Sequence, residues 1–135
     1  MRTGPGQDRV GGNFYDEVGG KPVFDRLVRA FYERVRHDDL MWPMYPQDDF
    51  EGAIHRLSTF LIQYWGGPTT YGDERGHPRL RMRHAAFRVN PAARDRWLLH
   101  MRAAADELQL SPLHDATLWA YLERAAHAMV NTFEE

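Results

Sequence analysis

With 135 residues, a formal net charge of −2 and no cysteine, the chain is long enough for one domain with a single core. Disulfides, thiolate-held metals and iron–sulfur clusters are excluded, so any bound metal must use His, Met, Tyr or carboxylate. The near-neutral charge balance argues against nucleic acid as a partner. The longest apolar run, Leu118 to Leu122, is far too short for a membrane span, so a cytoplasmic protein is expected.

Residues 1–13, with Gly4, Pro5, Gly6, Gly11 and Gly12, hold too little apolar surface to offset the entropy of ordering. They read as a disordered N-terminal extension, and the folded domain is expected over residues 14–135. Asn13 is placed to cap a short helix that stops at Gly19-Gly20. The first long helix is predicted near 22–36, where Phe24, Leu27, Val28, Phe31, Tyr32 and Val35 share one face. Residues 38–47, with Pro43, Pro46, Leu40, Met41, Trp42 and Tyr45, predict a tight apolar corner containing a short helical turn. Asp48 or Asp49 then caps a second long helix over 49–64. Its stripe is Ala53, Ile54, Leu57, Phe60, Leu61 and Tyr64, and it ends at Gly66-Gly67-Pro68. His55 lies about 200° around the helix from Ala53, which places it at the surface.

A loop is expected from Thr69 to Gly76. Next comes a stretch carrying His77, Arg79, Arg81, Arg83 and His84, in which Pro78 can open a short helix that ends near His84. Three readings are open for it: a nucleic-acid patch, a solvated basic loop with His84 packed in the core, or an imidazole on a metal with arginines set to pair with carboxylates. Asn90-Pro91 starts a third long helix over 91–108, with the stripe Trp97, Leu98, Met101, Ala104, Ala105 and Leu108. Ser111-Pro112 starts a fourth over 112–131, with Leu118, Leu122, Ala125, Met129 and Phe133, and Tyr121 and Val130 at the margins. No segment alternates like a strand, and the predicted class is all-α.

Several of these segments together resemble the truncated haemoglobins, specifically the second or O-type group found in bacteria. They are Phe14-Tyr15-Asp16 with Gly19-Gly20, Phe31-Tyr32, Tyr45-Pro46, Gln63 to Pro68, His77 to His84, Trp97, and Ala126-His127 with Val130-Asn131. The resemblance covers residues 14 to about 131. It implies a two-over-two helical sandwich around haem b, with His84 as the proximal iron ligand and Tyr32, Tyr45 and Trp97 as polar distal residues. Leu80 and Phe87 fall on the proximal side of the implied pocket and Leu57, Phe60 and Leu61 on the distal side, with Met101 also in its wall. Ala53 takes the place where many full-length globins carry a distal histidine, so hydrogen bonds to a bound ligand must come from the two phenols and the indole. Candidate partners for the haem propionates are Arg56, Tyr71, His77, Arg79 and Arg83.

The function this implies is binding of O2 and other diatomics at a five-coordinate iron. Three fixed donors would retain O2 tightly, which suits nitric-oxide dioxygenation or peroxide chemistry better than transport, storage or sensing. An unidentified reductase would restore ferrous iron, and assembly into homo-oligomers is left open. The rival class is a cofactor-free helical interaction module whose arginine stretch docks an acidic partner. His84→Ala is expected to lose haem, read as disappearance of the Soret band. An unchanged ferrous spectrum in that variant, with bleaching on substitution of His55 or His77 instead, would reassign the ligand.

Overall fold

The computed structural model describes residues 13–45, 48–76 and 89–130. Helix α1 (Phe14–Val18) starts where Asn13 accepts the Asp16 N–H, and it stops at Gly19, whose φ of 119° suits glycine. The Asn13 side chain also donates to the Gly66 carbonyl at 2.8 Å, and the Tyr15 N–H donates to the Trp65 carbonyl at 3.1 Å, so α1 is fastened to the end of a later helix. Helix α2 (Lys21–Val35) buries Phe24, Leu27, Val28, Phe31, Tyr32 and Val35, the six residues of the predicted stripe. A 3-10 turn (Trp42–Met44) forms in the predicted apolar corner.

Helix α3 (Phe50–Tyr64) is capped by Asp49, which accepts the Gly52 N–H at 3.2 Å. Helix α5 (Pro91–Leu108) is capped by Asn90 and helix α6 (Pro112–Ala128) by Ser111. Between α3 and α5 lies a short helix α4 (Thr70–Arg75), where the sequence suggested a loop. Tertiary contacts account for it: Gln63 of α3 accepts the Gly72 N–H at 2.7 Å, and Tyr71 is buried. The predicted helix leading to His84 lies outside the described residues, as do the N-terminal extension through residue 12 and residues 131–135.

Helix α2 packs against both α3 and α5, and α5 packs against α6, so the pair α2/α3 faces the pair α5/α6. Among the described residues all regular structure is helical. Each interface is apolar, but two carry buried polar links. Ser58, 2% exposed on α3, donates to Asp25 of α2. More centrally, Asp38 follows α2 with its side chain 2% exposed and accepts four hydrogen bonds. The Leu40 and Met41 N–H groups reach it at 2.9 and 3.2 Å, Arg96 Nε at 2.9 Å and His100 Nε2 at 2.6 Å.

Burial alone would raise the Asp38 pKa, but the bonds from His100 and Arg96, followed by those from the Met41 and Leu40 backbone, outweigh it and hold the group at about 2. A carboxyl depressed in the folded state adds stability above its unfolded pKa near 4, and that stability is lost as pH falls toward 2. Asp38→Asn is therefore expected to lower stability at neutral pH by about 3 kcal/mol, in the range for breaking a buried charge pair. Denaturant unfolding should show the parent losing its advantage over the variant between pH 5 and about pH 2. A constant difference across that window would mean that Asp38 carries no linked proton.

Candidate functional site: an apolar cavity with a polar end

The two helix pairs do not close completely on one another, and a cavity of about 230 Å³ remains between them. From α3 it takes Ala53, Leu57, Phe60 and Leu61; from α5, Met101; from α6, Leu122, Ala125 and Met129. These supply two broad apolar walls. Ala53 is a methyl side chain where a larger residue would fill part of the space, and its 6% exposure places it in the core.

One end of the cavity is polar. Tyr32 comes from α2, Tyr45 from the end of the 3-10 turn and Trp97 from α5, and all three line the cavity. The Tyr32 and Tyr45 rings meet edge to face, with centroids 5.4 Å apart, and Phe31 holds Trp97 at 5.4 Å in the same manner. Neither the two hydroxyls nor the indole N–H has a hydrogen-bond partner among the described residues, and none of the three is sealed away from the cavity. Burial pushes the Tyr32 phenol well above its usual pKa, against a smaller opposing effect from the Arg56 charge. Burial likewise pushes up Tyr45, and the neighbouring Tyr32 adds to the effect. Both phenols are therefore protonated donors at neutral pH.

Cationic and hydroxyl groups line the cavity as well. Arg56, Tyr71 and Arg75 line the cavity, and Arg56 pairs with the cap residue Asp49 at 3.0 Å. His55 is exposed and bonds to Glu74 at 3.0 Å, in keeping with its expected surface position. The structure thus brings together Tyr32, Tyr45, Ala53, Arg56, Leu57, Phe60, Leu61, Tyr71, Trp97 and Met101 from the residues singled out in the sequence. His77, Arg79, Leu80, Arg83, His84 and Phe87 lie outside the described residues. Sequence reasoning did not assign Met44, Arg75, Tyr121, Leu122, Ala125 or Met129 to the cavity. Most of the last helix's contribution was visible as an apolar stripe, but a stripe that lines a cavity has the same period as one that packs shut.

A flat apolar ligand with an anionic edge fits this donor set: aliphatic and aromatic walls for its faces, Arg56 near its rim, and three uncommitted donors where a small polar ligand would sit. The fold and the cavity are those of a small globin. Residues 13–131 match the family model for bacterial-like globins. A thermostable haemoglobin from the actinobacterium Thermobifida fusca is 54% identical, with a TM-score of 0.88 over 91% of this chain and 100% of that one. The group 2 truncated hemoglobin YjbI of Bacillus subtilis is 40% identical over 118 residues, 87% of this chain and 89% of its own. The structure of a truncated oxygen-avid haemoglobin from Bacillus subtilis superposes with a TM-score of 0.83 at 37% identity, over 89% of this chain and 100% of that one.

The chain belongs to the group II truncated haemoglobins, and its two-over-two sandwich is the fold of that family. As a globin it binds haem and gaseous ligands. Membership also removes the rival reading of a cofactor-free module. No helix among the described residues is long and apolar enough to cross a membrane.

The raised phenol pKa values give a direct check. In an alkaline titration followed by tyrosinate absorbance, Tyr32→Phe and Tyr45→Phe should leave the step near pH 10 unchanged, because neither phenol ionises there in the folded protein. A smaller step in either variant would place that hydroxyl in water.

Proposed function

We propose that the chain holds haem b through His84, retains O2 tightly at the opposite side of the haem, and uses that retention for nitric-oxide dioxygenation or peroxide chemistry. Bound haem supplies a ferrous iron with one open position for O2, nitric oxide or peroxide. Tyr32, Tyr45 and Trp97 act on whatever occupies that position. A diatomic ligand that draws negative charge from the iron needs hydrogen-bond donors. Three donors fixed by packing in a low-dielectric pocket hold that charge without having to reorganise.

One observation carries this reading: three donors line one end of an otherwise apolar cavity, and none has a hydrogen-bond partner among the described residues. The donors face the cavity rather than being sealed in the core, so a ligand that accepts from them takes up bonds no protein group makes. The Bacillus subtilis relative is oxygen-avid, which points the same way. A carrier has to release O2 readily, so a retentive pocket suits turnover better than transport. A separate reductase would return the iron to its ferrous state between cycles. Arg56 and Tyr71, which line the cavity, suit the haem propionates.

The donors are not equivalent. A phenol can rotate its proton and can also accept, so Tyr32 and Tyr45 have alternatives to the ligand. The indole of Trp97 can only donate, and leaving it unpaired costs about 1 to 3 kcal/mol. Trp97→Phe is accordingly expected to speed O2 dissociation by about 5-fold to more than 100-fold, and by more than Tyr32→Phe or Tyr45→Phe. Stopped-flow displacement of O2 from the three ferrous variants measures the ranking. If Trp97→Phe releases O2 at the parent rate while a tyrosine variant accelerates, the indole is only a wall of the cavity.

A further inference from the structure

The methionines among the described residues are Met41, Met44, Met101 and Met129, and they differ in what reaches them. Met101 is 0%, Met41 2% and Met129 8% exposed. Met44 stands in the 3-10 turn one residue before Tyr45 and is only partly buried. It packs with Trp97 against a small cluster of Val89, Ala93 and Met129, separate from the main core. Met44 lines the large cavity, and it also lines a second cavity of about 20 Å³ that shares Met44, Tyr45, Trp97 and Met129 with the first. A space of that size holds about one oxygen atom. A thioether therefore lies beside two of the donors that lack a protein partner, with room next to it for one further oxygen.

The chain has no cysteine, so its thioethers are the sulfur groups open to two-electron oxidation. A thioether is a weak acceptor, and beside Tyr45 and Trp97 it leaves both donors to a bound ligand. A sulfoxide is polar, and its oxygen is a strong acceptor with no proton of its own to give. It competes for the phenol and indole protons and offers the ligand nothing in return. Leucine would fill the same volume without this chemistry.

We propose that Met44 is a site of oxidation by hydrogen peroxide, and that its sulfoxide converts the cavity from retaining O2 to releasing it by accepting from Tyr45 and Trp97. The inference rests on retention by these donors, as read above, and adds its regulation. In the step, the sulfur lone pair attacks one peroxide oxygen, the O–O bond breaks and an S–O bond forms. The departing oxygen takes the proton left on the transferred one and leaves as water. One thioether and one peroxide give one sulfoxide and one water, with sulfur oxidised by two electrons and peroxide reduced by two. A hydrogen bond from Tyr45 or Trp97 to the departing oxygen offsets the charge that builds on it, so the donors that hold a diatomic also favour this transfer. Reduction of the sulfoxide by a thiol-dependent reductase restores the thioether and closes the cycle.

The test treats haem-loaded protein with equimolar hydrogen peroxide in the presence of N-acetylmethionine amide, quenches with catalase and maps the added oxygen by peptide mass spectrometry. Although partly buried, Met44 should be oxidised ahead of the free thioether, while Met41 and Met101 stay unmodified. Once the iron is returned to the ferrous state, stopped-flow displacement should show O2 leaving about 5-fold faster or more than from untreated protein, the change expected when one hydrogen bond is lost. Methionine sulfoxide reductase should bring back the slow rate. In Met44→Leu the rates before and after peroxide should be equal.

If Met44 is oxidised no faster than the free thioether, or the oxygen is found on Met129 in its place, the site is wrong. An oxidised Met44 with O2 leaving at the untreated rate overturns the switch, and so does an acceleration that persists in Met44→Leu. Should Tyr45→Phe and Trp97→Phe both release O2 at the parent rate, the retention reading fails on its own and the switch fails with it, whatever the mass spectra show at Met44.

Discussion

The carboxylate of Asp38 accepts from four directions, and those four bonds hold two of the three donors at the polar end of the cavity. Its bonds from the Leu40 and Met41 N–H groups set the corner that leads through the 3-10 turn to Tyr45. Its bonds from Arg96 and His100 come from residues on either side of Trp97 on α5. Removing that charge would leave Arg96 and His100 without their common acceptor and loosen the corner at the same time. The third donor, Tyr32, needs no such tie because it sits on the buried face of α2. Where polar groups must be fixed to within fractions of an ångström, a buried hydrogen-bonded charge constrains them better than apolar contact, which is non-directional.

The remainder of the site follows from incomplete packing. Protein interiors are close-packed, and apolar walls that fail to meet forgo the contacts that would otherwise stabilise the fold, as they do across this space of about 230 Å³. The sequence nevertheless places Ala53 and Ala125 against the space and gives no larger residue to close it. A cavity of this kind is retained when a ligand fills it, and a globin's ligand is haem.

Much of this is legible in the sequence. The stripe of α2 and the caps Asn13, Asp49, Asn90 and Ser111 are local signals, each set by residues within a turn of one another, and each forms as expected. Resemblance, rather than periodicity, led to Tyr32, Tyr45 and Trp97, and the structure brings all three to one cavity. What escaped was long-range. Asp38 meets Arg96 and His100 across 58 and 62 residues, and no local pattern encodes that pairing. Helix α4 is only six residues long and depends on Gln63 and the burial of Tyr71. Tyr64 occupies a core angle on its helix, but at the last turn it finds the flat face of Tyr121 with water beyond.

The central claim is that the helical sandwich is completed by haem in this cavity. Thermal unfolding of the protein with and without haem tests it most directly, since a ligand bound only by the folded state stabilises it by mass action. At free haem about 1,000 times its dissociation constant the gain is about 4 kcal/mol, which should appear as a clearly higher Tm for the loaded protein. Equal melting temperatures in the two forms would contradict a cavity built around that ligand.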